Sequence, residues 1–410
     1  MLSGAWIFIT VLLLLAAIVL NQAPLFIVAA LFFLTSGVAR LWSRYSLARL
    51  EFKRKLSAQK VFWGDHITLD ISVSNTKMLP LPWIMVQEEV PRGVSFLKGK
   101  LSASHKNNRE VLSNFLSLSW YHKLTRRYPV HCQKRGVFVF GPAAISSGDP
   151  FGFFRKKIVN EETDRLLVYP KILPLEDIGI PSRHPFGDLR IKRHLFQDPV
   201  LVMTTREYVQ GDPLKYIHWK STARLQRLQS RVFDYTTTID MALFLDTRTA
   251  ADTNFWSIIS PDFLETAILT ATSISNHAFN EGYKVGLYAN EYYYQSEHLI
   301  KLAPSNNTEQ FRNILEALAQ LQGIPALTMD KLLNREARQL PWETTIVLIT
   351  AVPTADLIAT LKRFKKAGRR IALVVIGADH PAGNLEGINI YHVSEEVYRR
   401  QAESIRLGQK

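Results

Sequence analysis

The chain has 410 residues, and its 50 Lys and Arg against 36 Asp and Glu give a net charge of +14 and a pI near 9.7. That length has room for two or three domains and a sizeable core. One cysteine, Cys132, excludes an internal disulfide framework. The basic balance suits an anionic surface; because basic clusters adjoin an apolar N-terminus, it favours membrane lipid over nucleic acid.

Residues 2–20 carry no charge and are almost wholly apolar, and residues 24–42 form a second such run broken only by Thr35, Ser36 and Arg40. Each is about nineteen residues, roughly 28 Å as helix, close to one hydrocarbon thickness. Asn21-Gln22-Ala23-Pro24 is the break between them, so the pattern predicts a membrane α-hairpin over residues 1–45. The first run lacks a basic leader and a small-x-small cleavage site, which argues for a retained span over a signal peptide. Arg40, Arg44, Arg49, Lys53, Arg54 and Lys55 follow the second run, and positive charge marks the cytoplasmic side. The expectation is a multi-pass inner-membrane protein with cytoplasmic soluble domains, anchored in lipid by two N-terminal helices.

From residue 52 to 170 the pattern changes to period two. Ile67, Leu69, Ile71 and Val73 alternate with Thr68, Asp70, Ser72 and Ser74, framed by Gly64-Asp65 and Asn75. Further strands are expected at 83–90, 112–120, 127–132, 136–140 and 164–169. Short strands with turns between them predict an all-β sandwich or barrel. Gly148-Asp149-Pro150-Phe151-Gly152-Phe153-Phe154 reads as a packed turn with Phe anchors.

Residues 171–229 read as a connector, rich in Pro and basic residues at first. Its second half is Arg206-Glu207-Tyr208-Val209-Gln210-Gly211-Asp212-Pro213-Leu214-Lys215-Tyr216-Ile217-His218-Trp219-Lys220-Ser221-Thr222-Ala223-Arg224. Charges interleaved with aromatics suggest a half-buried network. Gly211-Asp212-Pro213 signals a turn, and Asp212 is placed to cap a following helical turn. The spacing of Arg206, Tyr208, Gly211, Asp212, Ile217, Trp219, Ala223 and Arg224 resembles the signature of the bacterial domain-of-unknown-function family 58. Its pattern is roughly R-x-Y-x-x-G-D-x-x-x-x-I-x-W-x-x-x-A-R. The Asp-Pro-Phe-Gly turn resembles a recurring element of the same family.

From residue 230 to 410 apolar strands alternate with helices. Strands are expected at 241–245, 284–289, 293–302, 344–350, 371–376 and 388–393, and helices at 262–281, 308–321, 328–338, 354–367 and 395–406. This predicts an open, mostly parallel α/β sheet covered on both faces, whose ligands would bind at the carboxyl ends of the strands. An Asp closing the first strand resembles a von Willebrand factor A domain, the fold that the family resemblance also implies. Such domains can hold a divalent cation on Asp-x-Ser-x-Ser with a later Thr and Asp. Here the segment is Asp246-Thr247-Arg248-Thr249-Ala250, and Thr350 is followed by Ala351. Hard cations need several oxygens together, so Asp246 reads as the remnant of a degenerate site, partnered instead by an Arg or a helix terminus.

No Walker loop, nucleophile elbow, zinc helix or Cys-x-x-Cys is present. Cys132 reads as a small buried hydrophobe. His218, with Ser221 nearby, lacks the partnered nucleophile and oxyanion site that catalysis needs. No catalytic residue and no cofactor is therefore expected. Two readings of Arg206, Tyr208, Gly211, Asp212, His218, Trp219, Lys220 and Arg224 stay open. In one, ion pairs among Arg206, Asp212 and Arg224 fasten the connector to the α/β sheet, with Trp219 filling the seam. In the other, the same residues recognise a partner, since Trp, Tyr and Arg dominate interface hot spots. The resemblance further implies partnership with a MoxR-type AAA ATPase and hence a membrane-anchored scaffold in complex assembly or envelope maintenance. The alternatives are a metal-assisted hydrolase at the sheet edge, or an outward-facing adhesion or cell-wall module.

Overall fold

A computed structural model describes residues 11–13, 15–16, 18–19, 23–106, 108–181, 202–210, 212–233, 239–249, 260–377 and 385–400. Helix α1 (Ala23–Ser46) starts with Pro24 in its first turn, where the missing N–H is harmless. Among the described residues it is the one helix long and apolar enough to cross a membrane. Of the first apolar run, the described residues from 11 to 19 are helical. Lys77 Nζ donates to the carbonyls of Ser46 at 2.6 Å and Ala48 at 2.7 Å, putting a cation on the last turn of α1 and the residues just after it, where the dipole favours positive charge.

The chain folds as two compact units, the first built on Met1–Lys171 and the second on Ile172–Ala317 with Leu321–Gln401. After α1 the first unit is all β: β1 (Leu50–Leu56), β2 (Lys60–Phe62), β3 (His66–Asn75), β4 (Leu81–Pro91), β5 (Ser95–Phe96), β6 (Lys100–Ala103), β7 (Arg109–Leu118), β8 (Lys123–His131), β9 (Gly136–Phe140), β10 (Ala143–Gly148), β11 (Arg155–Asn160) and β12 (Asp164–Tyr169). One sheet runs β1-β3-β8-β5 and a second β11-β10-β4-β7-β6, with a small third sheet β2-β12-β9. The alternation in β3 buries Ile67, Leu69, Ile71 and Val73, which join Ile84 and Val86 of β4, Leu112 and Leu116 of β7 and Val130 of β8 in one core. Cys132 is buried in that core, and burial pushes its thiol up to about 11.

Arg54, from β1, sits inside this unit. Its guanidinium pairs with the fully buried Glu88 and, at 2.6 Å, with Asp164. The Asp-Pro-Phe-Gly segment closes on Asp149, whose carboxylate accepts the backbone N–H groups of Phe151, Phe153 and Phe154 at 2.9, 3.2 and 2.6 Å. Phe154 is buried there, whereas Phe151 is exposed.

The second unit opens with an arm, strands β13 (Val202–Glu207) and β14 (Gln229–Phe233) flanking a short α2 (Trp219–Leu225). Then come β15 (Asp240–Leu245), α3 (Pro261–Asn280), β16 (Lys284–Tyr292), β17 (Leu299–Ser305), α4 (Thr308–Gln320), α5 (Met329–Glu336), β18 (Thr345–Thr350), α6 (Ala355–Lys366), β19 (Ile371–Ile376) and β20 (Asn389–Val393). The six strands order as β17-β16-β15-β18-β19-β20. All neighbours are parallel except the edge pair β16–β17. Residues 293–298, expected as the start of a strand, instead form the turn joining that antiparallel pair: Tyr293 N donates to His298 O and Ser296 N to Tyr293 O. β18 and β19 are buried along their whole length, as strands covered on both faces must be.

Candidate functional site

The signature residues fold as a local unit instead of a connector. β13 and β14 pair antiparallel, with Arg206 opposite Ser230 and Glu207 opposite Gln229. Residues 208–228 between them turn back on the hairpin: Tyr208 N donates to Leu228 O at 2.9 Å, His218 N to Gln229 O at 2.8 Å, and Ile217 bridges to Ser230. Ile217, at 4% exposed, is the apolar plug of the arm.

Asp212 holds the turn. One oxygen accepts from Arg206 at 2.6 Å and the other from the Val209 N–H at 3.2 Å. The Arg206 hydrogen bond, then the Val209 N–H, keep its carboxyl below the usual range. Asp212 therefore closes a loop backwards onto Val209 and does not cap a helix. The capping falls to His218, whose Nδ1 accepts from the Ser221 backbone N–H at 3.1 Å at the start of α2. The imidazole thus meets the Ser221 main chain at that nitrogen, a structural contact and not a base–nucleophile pair. Gly211 lies outside the described residues.

The expected ion-pair cluster forms only in part. Arg206 and Asp212 pair, while Arg224 and Lys220 are exposed and carry no ion pair among the described residues. Trp219 fills no seam: it is 67% exposed, and Leu214, Leu225, Leu228 and Val209 are exposed with it. The reason is local. The backbone of the arm pairs with itself, Ile217 is buried beside Gln229 and Ser230, and α2 is left with its Trp exposed.

The second candidate lies at the carboxyl edge of the α/β sheet, where open sheets of this kind place ligands. Asp246 follows β15 and is buried. One carboxylate oxygen accepts from Asn290 Nδ2 at 2.8 Å and the Arg248 N–H at 3.1 Å, and the other from Thr350 Oγ1 at 3.0 Å. Asn290 Oδ1 in turn accepts from the Thr247 N–H at 2.9 Å and hydroxyl at 3.0 Å. Burial pushes the Asp246 carboxyl above its ordinary range, against the pull of these donors. Its hydrogen-bond partners are thus an amide, a hydroxyl and a backbone N–H, with the charge of the expected Arg, Arg248, adding a weaker pull. Asn290 was missed in the sequence, because it sits inside a run that reads only as strand. Among the described residues no three His, Cys, Asp or Glu side chains converge as a metal-binding group.

An uncharacterized protein of Bacillus subtilis, YeaD, is 22% identical over 254 residues, covering 61% of this chain and 58% of that protein. The chain thus spans a little more than half the length of that relative. Among solved structures, the CARDB domain of a Pyrococcus furiosus protein aligns with 29% of this chain and 89% of its own, at 12% identity and a TM-score of 0.20. A non-cellulosomal cohesin from Archaeoglobus fulgidus aligns with 30% and 91%, at 8% identity and a TM-score of 0.20. Residues 204–387, which take in the arm from Thr204 and the sheet as far as β19, match the family described as "Protein of unknown function DUF58".

Proposed function

We propose that this protein is a membrane-anchored, non-catalytic scaffold whose signature arm docks a MoxR-type AAA ATPase in protein-complex assembly or envelope maintenance. One observation carries the reading. The arm's backbone bonds back on its own hairpin yet leaves Trp219, Leu214 and Leu225 exposed beside Lys220 and Arg224. Exposed aromatic and aliphatic side chains among unpaired cations are the composition of a partner surface. The strand order of the α/β sheet, with the first strand central and the third antiparallel at the edge, supports a von Willebrand A-like platform beneath this role. The helical residues of the first apolar run and α1 support a two-span anchor, and the charges from Arg40 to Lys55 support cytoplasmic soluble domains.

The test has two stages. Reporters active on only one side of the membrane are fused to Lys410, and the full chain is then used to pull down AAA ATPases from the same cells. The expected result is a cytoplasmic reporter, with ATPase recovery reduced at least tenfold by combining Trp219→Ala with Arg224→Ala. A folded double variant that still recovers the ATPase, or an outside C-terminus, overturns the proposal.

A further inference from the structure

A pocket of about 850 Å³ opens in the β unit, lined chiefly by β7 of one sheet, β8 of the other and the link from β5 to β6. That link, Leu97–Gly99, carries the chain from the first sheet to the second. Gly99 has a φ of +122°, and a Cβ there would lie 2.6 Å from Leu112 Cδ1 and 3.3 Å from the Tyr128 ring, so glycine allows the close approach.

Asn114 lines the pocket at 1% exposure. Its Oδ1 accepts from Arg126 at 3.0 Å and from the Tyr128 hydroxyl. Arg126 only donates, which fixes the orientation of the amide and leaves Nδ2 as a buried donor with no acceptor. Such a group is costly unless an acceptor arrives. Around it stand Lys98, Lys100 and Arg126, with no carboxylate within ion-pair distance among the described residues. Arg127 beside them is already held by Asp70 at 3.0 and 3.3 Å. No acid lines the pocket, and Phe115 and Met85 are the apolar residues at its margin.

We propose that this pocket binds a phosphate monoester carried on an apolar body. Three uncompensated cations match a group bearing close to two negative charges better than a single carboxylate. A phosphate oxygen supplies the acceptor that Asn114 Nδ2 lacks. The volume falls in the range of small-molecule sites and exceeds what the ion alone needs. The domain starts at Leu50, directly after α1, so a membrane phospholipid headgroup is one source and a soluble organic phosphate the other.

The experiment is calorimetric titration of the full chain, held in phosphatidylcholine nanodiscs, with dihexanoyl phosphatidic acid, inorganic phosphate and dihexanoyl phosphatidylcholine. Saturable one-site binding of the phosphatidic acid is expected, weakened at least tenfold by Lys98→Ala with Lys100→Ala, two exposed positions that leave the core untouched. Phe115→Ala should weaken the lipid and leave inorganic phosphate unchanged. Weaker displacement by inorganic phosphate than by a soluble organic phosphate monoester of equal affinity to the lipid assigns the site to a soluble ligand, whereas equal potency of inorganic phosphate itself means that the apolar body adds nothing and overturns the proposal. Binding that ignores the lysine substitutions, or that is matched by phosphatidylcholine, overturns the proposal.

Discussion

Replacing Asn290 with Ala separates two accounts of Asp246. The amide holds the carboxylate at 2.8 Å, donates to Leu327 O at 3.2 Å, and accepts both polar hydrogens of the fully buried Thr247. Its removal takes away one charge-assisted bond, about 1.5–3 kcal/mol, and strands the Thr247 donors at about 1–3 kcal/mol. Allowing for partial relaxation, the unit should lose about 3–5 kcal/mol. Asp246→Asn is the control. The new amide can accept from Arg248 and Asn290 through oxygen and donate to Thr350 Oγ1 through nitrogen, so stability should stay within about 1 kcal/mol of wild type or rise. The pH dependence follows the same logic. The folded carboxyl lies above its unfolded value near 4, so the native state binds the extra proton. Wild-type stability should therefore rise as pH falls from the folded value towards 4, and the Asn variant should lack that rise. Hydrogen exchange of peptides covering β15 and β18 reports both quantities locally. If Asp246→Asn destabilises as much as Asn290→Ala, the negative charge itself is required, and the account of a carboxylate satisfied by neutral donors fails.

Three further outcomes test the packing. Burial pushes Glu88 up to about 7 despite Arg54, so stability of the β unit should fall as pH rises from 4.5 to about 7, by at most about 3 kcal/mol; a thermal-shift pH series with an unchanged slope in Glu88→Gln refutes this. Ile217→Ala should cost the arm about 2–4 kcal/mol and speed amide exchange across β13 and β14, while the exposed Trp219→Ala should cost about 1 kcal/mol or less; comparable losses would mean that Trp219 is a core residue after all. Gly148→Ala places a Cβ 2.1 Å from the Phe154 carbonyl oxygen, backbone that has little room to yield. Limited proteolysis should then cut faster at the Phe151–Phe154 turn, and an unchanged cleavage rate would show that the turn tolerates the added atom.

Where side chains report their own environment, the sequence was readable. The alternation of β3, the buried run of β19 and the helical spacing of α3 each encode burial directly, and each element appears within a few residues of its expected place. β10 and β11 were not read, because Ala-Ala-Ile-Ser-Ser-Gly is small and polar, and Arg-Lys-Lys-Ile-Val-Asn is an exposed edge strand with no core face to mark it. The β13–β14 hairpin was hidden by distance. Its strands are separated by residues 208–228, far beyond a tight hairpin loop, so nothing local links Arg206 to Ser230.

The Asp246 cluster shows the same limit at the level of single residues, since its logic is register. Leu245 pairs with Ala289 in β16 and with Ile349 in β18, so the next residue on each strand is Asp246, Asn290 and Thr350. Three positions 44 to 104 residues apart thus become one row across the sheet's carboxyl edge. Read along the chain, Asp246 invites comparison with a cation site and Asn290 invites nothing. Read across the sheet, the row has its own chemistry. Parallel pairing sets an N–H donor on one side of the carboxylate and an O–H donor on the other, and the turn at Arg248 adds a third. A hard cation needs oxygen lone pairs pointing inward, whereas two of the three neighbours direct N–H groups at Asp246 and Thr350 offers its hydroxyl proton. The same carboxyl edge therefore serves to lock β15, β16 and β18 together.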